Sequence, residues 1–198
     1  MRHLLLATRN AHKTREFSEI LGPDFAVRDL SGEREAPVIE ESGATFAENA
    51  ILKALGISKR SPGLVVADDS GLEVDALSGA PGVFSARYAG TNAIDAQNIA
   101  RLLSELGALS DRPPFLARFR CVLAVANDGR LLNTVEGLIE GTIVDGPRGN
   151  SGFGYDPIFQ PIGFDQTFGE LPSETKNKIS HRATAIRALR SALSSGLT

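Results

Sequence analysis

Between Phe115 and Val144, two long extended runs flank Asn127-Asp128-Gly129-Arg130, and an Asp-Gly pair between such runs is the signature of a β-hairpin. The chain ahead of it alternates instead. "HLLLAT" (3–8) reads as a strand, and Phe17, Ile20 and Leu21 have the spacing of a helix that Gly22-Pro23 stops. "FAVRDL" (25–30) is a second strand, and residues 31–44 are a polar loop. Thr45-x-x-Glu48 is a capping box, which predicts a helix through "FAENAILKALGISK" that ends near Ser61-Pro62-Gly63. "LVVAD" (64–68) is a buried strand; "LEVDAL" and a Gly/Pro-rich loop follow it. Ile99, Leu102, Leu103 and Leu106 mark another helix, closed by Gly107. After the hairpin come a glycine-rich loop (145–157) with no period and a last helix. That helix carries Ile186, Leu189 and Leu193 on one face, with Ser180 placed to cap it. The order β-α-β-α-β, hairpin, helix predicts a mixed-sheet α/β fold, with residues 1–198 forming a single domain.

Composition narrows the partners. The net charge of −3 means that an anionic ligand must be held by a local cluster of basic groups, which argues against broad duplex binding and leaves nucleic acid an unexpected partner. The single cysteine, Cys121, lies in an apolar run, as expected of a reducing compartment. Only three consecutive leucines stand near the N-terminus, so neither a signal peptide nor a membrane span is expected there. A soluble, cytoplasmic protein is the expectation.

Three clusters carry the chemistry. In "ATRNAHKTREF", Asn10 is a plausible N-cap that puts His12 and Lys13 in the first helical turn, at the end of the dipole where carboxylates are usually favoured. A bound anion would reverse that penalty; a solvated basic face is the alternative. The same inversion recurs in "ISHRATAIRAL", where His181 and Arg182 follow Ser180, with Lys176 and Lys178 upstream. The third cluster is Asp68-Asp69-Ser70-Gly71, read as the carboxyl end of a strand. Turn chemistry alone explains those residues. Beside two basic helix starts, a hard divalent cation is the better reading, with Glu40 and Glu41 able to supply a further carboxylate. In "GNSGFGYDP", Phe153 and Tyr155 offer flat faces on which a base could stack, unless they plug into the core.

Five pieces in register, "ATRNAHK", "EESGATFAENAILKA", "ADDSGLEVDALSGAPGVFSARYAG", "GFGYDPIF" and "SHRATAI", resemble the inosine triphosphate pyrophosphatase family over nearly the whole chain. The resemblance implies a long twisted mixed sheet flanked by helices, two lobes with a central active-site cleft, and a homodimer. It implies hydrolysis of non-standard purine nucleoside triphosphates (ITP, dITP, XTP) to the monophosphate and pyrophosphate with Mg²⁺, which keeps them out of nucleic acids. Residue by residue, it implies that Thr8, Asn10 and Lys13 form a phosphate loop, with Arg9, Ala11 and His12 between them. Glu41 and Asp69 become the Mg²⁺-associated carboxylates, Asp69 also being the base that activates water. Lys53 becomes a second phosphate lysine and Ser70 a substrate contact. Phe153, Gly154, Tyr155 and Asp156 form the base-binding loop; Lys176, His181 and Arg182 meet the purine edge. Two rivals stand beside this reading: a related pyrophosphatase that prefers modified pyrimidines or methylated guanine, and a nucleotide- or RNA-binding module without catalysis. Glu41 and Asp69 speak against the second, since an anion binder gains nothing from acids beside its phosphates.

Overall fold

Asp128 and Gly129 have φ of 48° and 74°, the two positive values that a two-residue type I′ turn demands. They join β4 (Phe115–Asn127) to β5 (Arg130–Ile143), so the hairpin forms where the sequence predicts it. The structure is a computed structural model that describes residues 1–33, 35–110 and 113–195; Arg34, inside the expected polar loop, lies outside the described residues. β1 (Arg2–Leu6) pairs in parallel with β2 (Phe25–Asp29) and with β3 (Val65–Val74), whereas β6 (Phe159–Pro161) runs antiparallel to β5. Among the described residues, six strands follow the order β2-β1-β3-β4-β5-β6, a mixed sheet as expected.

The helices start where local hydrogen bonding says they should. α1 (Ala11–Leu21) is capped by Asn10, whose Oδ1 accepts from the backbone N–H of His12 at 2.9 Å and of Lys13 at 3.3 Å. At α2 (Phe46–Ser58), the Glu48 N–H donates to Thr45 Oγ1 at 3.1 Å and the Thr45 N–H donates back to Glu48 Oε2 at 3.2 Å, the reciprocal capping box. α3 (Asp95–Gly107) buries Ile99, Leu102 and Leu106. The sequence reading missed α4 (Ser173–Ile179), which carries Lys176 and Lys178. Ser180 then stands in extended conformation (φ −65°, ψ 159°) directly before α5 (His181–Ser194).

One expectation is overturned. Asp68-Asp69-Ser70-Gly71 is not a turn at a strand's end, because β3 runs unbroken from Val65 to Val74. Leu72 and Val74 are buried beyond the acidic pair, so apolar burial on both sides holds the chain extended against the local turn preference.

The chain divides into two compact units. The first comprises Met1–Asp69, Cys121–Gly137 and the chain from His181 on; the second comprises Ser70–Arg120 and Leu138–Ser180. Leu4, Leu6, Phe17, Leu21, Val66, Leu123 and Ile186 belong to the core of the first unit. Gly137 is forced there: a Cβ at that position would stand 2.0 Å from the His181 carbonyl oxygen, so only glycine lets the start of α5 approach β5. The second unit packs Leu72, Ile99, Leu102, Phe119, Phe159 and Phe168 together, with the Phe119 and Phe159 ring centroids 4.7 Å apart. Each such side chain gains roughly 1.5–3 kcal/mol on full burial. Among the described residues, no helix is long and apolar enough to cross a membrane.

Candidate active site

In the first unit both wrong-end cations find one partner. Lys13 Nζ bonds Asp68 Oδ1, and Arg182 Nε donates to Asp68 Oδ2 at 2.7 Å. Arg182 Nη1 donates onward to Glu16 Oε2 at 2.6 Å, on the same helix as Lys13. The Cys121 thiol also points at Asp68 Oδ2, at 3.3 Å. The side chains of Asp68 and Arg182 are 0% and 2% exposed. Burial pushes the Asp68 carboxyl upward, but Arg182 and then Lys13 outweigh it and hold it well below the usual carboxylate range. The Cys121 thiol, buried beside this carboxylate, is pushed well up. An internal carboxylate therefore compensates the basic starts of α1 and α5, which the sequence argument assigned to a ligand.

Successive strand residues face opposite ways, so Asp69 turns from Asp68's partners to a second set. Lys53 Nζ donates to Asp69 Oδ1 at 2.7 Å, to Glu41 Oε1 at 2.8 Å and to the Asp68 carbonyl oxygen at 2.9 Å. Lys13 Nζ reaches the same carbonyl at 3.5 Å, so two ammonium groups flank one backbone oxygen beside two carboxylates. Burial raises the Asp69 pKa; Lys53 opposes that rise and Glu41 adds to it, leaving the group above the ordinary value. A carboxylate so raised is a stronger base, as general-base work requires. The Glu41 loop is held by α2: the Gly43 N–H donates to Asn49 Oδ1 at 2.8 Å and the Ala44 N–H to Glu48 Oε2 at 2.7 Å.

The other first-unit residues shape the loop before α1. Thr8 Oγ1 accepts the Asn10 N–H at 3.1 Å, and Asn10 caps the helix. Arg9 Nη2 donates to the Ala36 carbonyl at 3.0 Å; Ala11 and His12 are exposed. His181 is buried at the first position of α5.

In the second unit, Ser70 is half-buried in β3. The base-loop residues meet there too. Asp156 Oδ2 accepts the Phe153 N–H at 2.8 Å and Lys176 Nζ at 2.6 Å, and that ammonium lies 5.0 Å from the Phe153 ring centroid. The Gly154 N–H donates to Asp95 Oδ2 at 2.6 Å. Gly152 has φ of 77°, and a Cβ there would stand 1.9 Å from Asp156 Oδ2, so the loop needs glycine at this position. Tyr155 departs from expectation. It is buried in the core and its hydroxyl donates to the Ser85 carbonyl at 2.9 Å, so its face is not offered for stacking. The phenol finds a carbonyl inside the fold, and its ring joins the apolar cluster.

Sequence reasoning missed Glu16 and Asp95, and left Asp68 without a partner. Glu16 carried a faint signal, three residues after Lys13 and so on the same helical face. Asp95 carried none, because its partner lies 59 residues away.

Comparison with known proteins is consistent across the chain's length. Residues 4–192 match the Ham1 family. The dITP/XTP pyrophosphatases of Bacillus licheniformis and Bacillus subtilis are each 50% identical over 190 residues, which cover 96% of this chain and 96% of theirs. Among solved structures, a HAM1 protein from Coxiella burnetii aligns with a TM-score of 0.88 at 42% identity, covering 99% of this chain and 100% of its own. The Ham1 protein of Staphylococcus aureus aligns with a TM-score of 0.85 at 42% identity, covering 98% and 99%.

Proposed function

The chain belongs to the Ham1 family, and we propose that it hydrolyses non-standard purine nucleoside triphosphates to the monophosphate and pyrophosphate, keeping them out of nucleic acids. One observation carries the chemical reading. Lys13 and Lys53 converge on the Asp68 carbonyl beside Asp69, so cations for a triphosphate and a carboxylate base for water stand together. The relatives named dITP/XTP pyrophosphatase support the substrate class.

Glu41 and Asp69 are the residues that would hold Mg²⁺. Their oxygens approach a single nitrogen within 2.8 Å, and such hard donors suit an ion that takes one or two carboxylates and completes its shell with phosphates. Bound there, Mg²⁺ supplies charge against the phosphates and acidifies water. Asp69 takes the proton as the water oxygen bonds to the α-phosphorus. The bond from that phosphorus to the bridging oxygen breaks, and pyrophosphate leaves with the electron pair. Lys13 and Lys53 stabilise the departing charge, and the loop before α1, with Thr8 and Asn10, presents phosphate donors. Ser70, Phe153, Gly154, Asp156, Lys176, His181 and Arg182 belong to the purine side of the proposal. The single pyrophosphatase domain over residues 1–198, the homodimer and the cytoplasmic setting are part of it as well.

Bond choice is the direct test. With ¹⁸O-labelled water, the label should enter inosine monophosphate and not pyrophosphate. Orthophosphate and a nucleoside diphosphate as products would mean attack at the γ-phosphorus and would overturn the assignment. Base selection is tested separately. Phe153→Ala should weaken all purine triphosphates alike, by about 1–3 kcal/mol, because stacking tolerates any base. Arg182→Ala should instead narrow the preference for inosine over adenosine triphosphate. Equal losses for both substrates would confine Arg182 to its ion pairs with Asp68 and Glu16.

A further inference from the structure

Lys53 holds the Glu41 and Asp69 carboxylates and a backbone carbonyl at one nitrogen. An ammonium has three N–H donors, and here Glu41, Asp69 and the Asp68 carbonyl take all three. The group therefore cannot contact a phosphate oxygen without releasing one of them. The three acceptors are hard oxygens, the donor type that a divalent cation seeks. Both cations cannot hold the same two carboxylate oxygens closely, because like charges a few ångströms apart repel strongly in a site this enclosed. The side chain of Lys53 is 13% exposed and hangs from α2 on a flexible four-carbon stem, which gives the ammonium rotatable bonds by which to change partners. Lys13 does not compete, since its carboxylate partner is Asp68.

We infer that the Lys53 ammonium is an internal stand-in for the divalent cation: metal takes the Glu41 and Asp69 oxygens only as the ammonium passes to a triphosphate oxygen. The inference rests on the reading of Glu41 and Asp69 as the metal carboxylates. It makes metal and nucleotide binding mutually dependent, and it keeps a positive charge between the two carboxylates between turnovers.

Mn²⁺ is the probe, with free ion counted by its electron paramagnetic resonance signal. Without nucleotide, Lys53→Met should bind Mn²⁺ about ten- to hundred-fold more tightly than the wild type, since no charged hydrogen bonds have to be given up. Lys53→Gln, which keeps an amide donor, is the second variant should the methionine protein fail to fold. Mn²⁺ alone should raise the melting temperature of either variant more than that of the wild type. An inosine triphosphate analogue with a non-hydrolysable α–β link should tighten wild-type Mn²⁺ binding at least about ten-fold and close the gap. Unchanged or weaker Mn²⁺ binding in the variants, with analogue-assisted binding intact in the wild type, would overturn the inference and leave the metal reading standing. A wild type whose Mn²⁺ affinity ignores the analogue would overturn it too. Absence of Mn²⁺ binding in every protein, with and without analogue, would bring down the metal reading and the inference together.

Discussion

Asp69→Asn is expected to lower kcat by about a hundredfold to ten-thousandfold, the range associated with loss of a positioned general base. The asparagine keeps the shape of the side chain and an oxygen that can accept from Lys53 Nζ, now 2.7 Å from Asp69 Oδ1. Stability should hold or rise. Burial raises the Asp69 pKa, so the folded state disfavours the charged form, and the neutral amide removes that cost. Loss of turnover with an unchanged or higher melting temperature is therefore the signature of a chemical role. Collapse of both would make Asp69 structural, and retention of half the wild-type rate would remove it from the mechanism. The companion measurement withdraws metal: excess chelator should abolish turnover and Mg²⁺ should restore it. Full activity in chelator would end the metal assignment.

Asp68→Ala should destabilise the protein by about 3–5 kcal/mol, the usual cost of removing one partner from a buried ion pair. Arg182, whose side chain is 2% exposed, and Lys13 would both lose the carboxylate they share. For a chain of this length that is a fall in melting temperature of roughly 6–20 °C. The contrast with Asp69 is the point of the experiment. Two adjacent acids on one strand face opposite ways, and one should govern stability while the other governs rate. A melting temperature within about 2 °C of the wild type would mean that the network of Lys13, Asp68, Arg182 and Glu16 adds little.

Much of the fold was written in local chemistry. Asn10 accepts N–H groups two and three residues ahead, Thr45 and Glu48 cap each other across one turn, and Asp128-Gly129 adopts the positive φ pair that a hairpin demands. These interactions span four residues or fewer and depend on residue type alone, so a sequence displays them directly. The motif residues of the proposed site were legible for a related reason, since five pieces in register carried the family likeness. What tertiary structure alone decided lies at long separation. Local preference made Asp68-Asp69-Ser70-Gly71 a turn, yet buried Leu72 and Val74 keep β3 extended through it. Ring size and polarity let Tyr155 serve as either a stacking face or a core residue, and the acceptor at Ser85, 70 residues away, settles it for the core. The cations at the starts of α1 and α5 called for an anion. Its identity as Asp68, 55 residues from Lys13 and 114 from Arg182, depends on the path of the whole chain. A charge can announce that it needs a partner; only the fold, by bringing distant oxygens within bonding distance and out of water, decides which partner it gets.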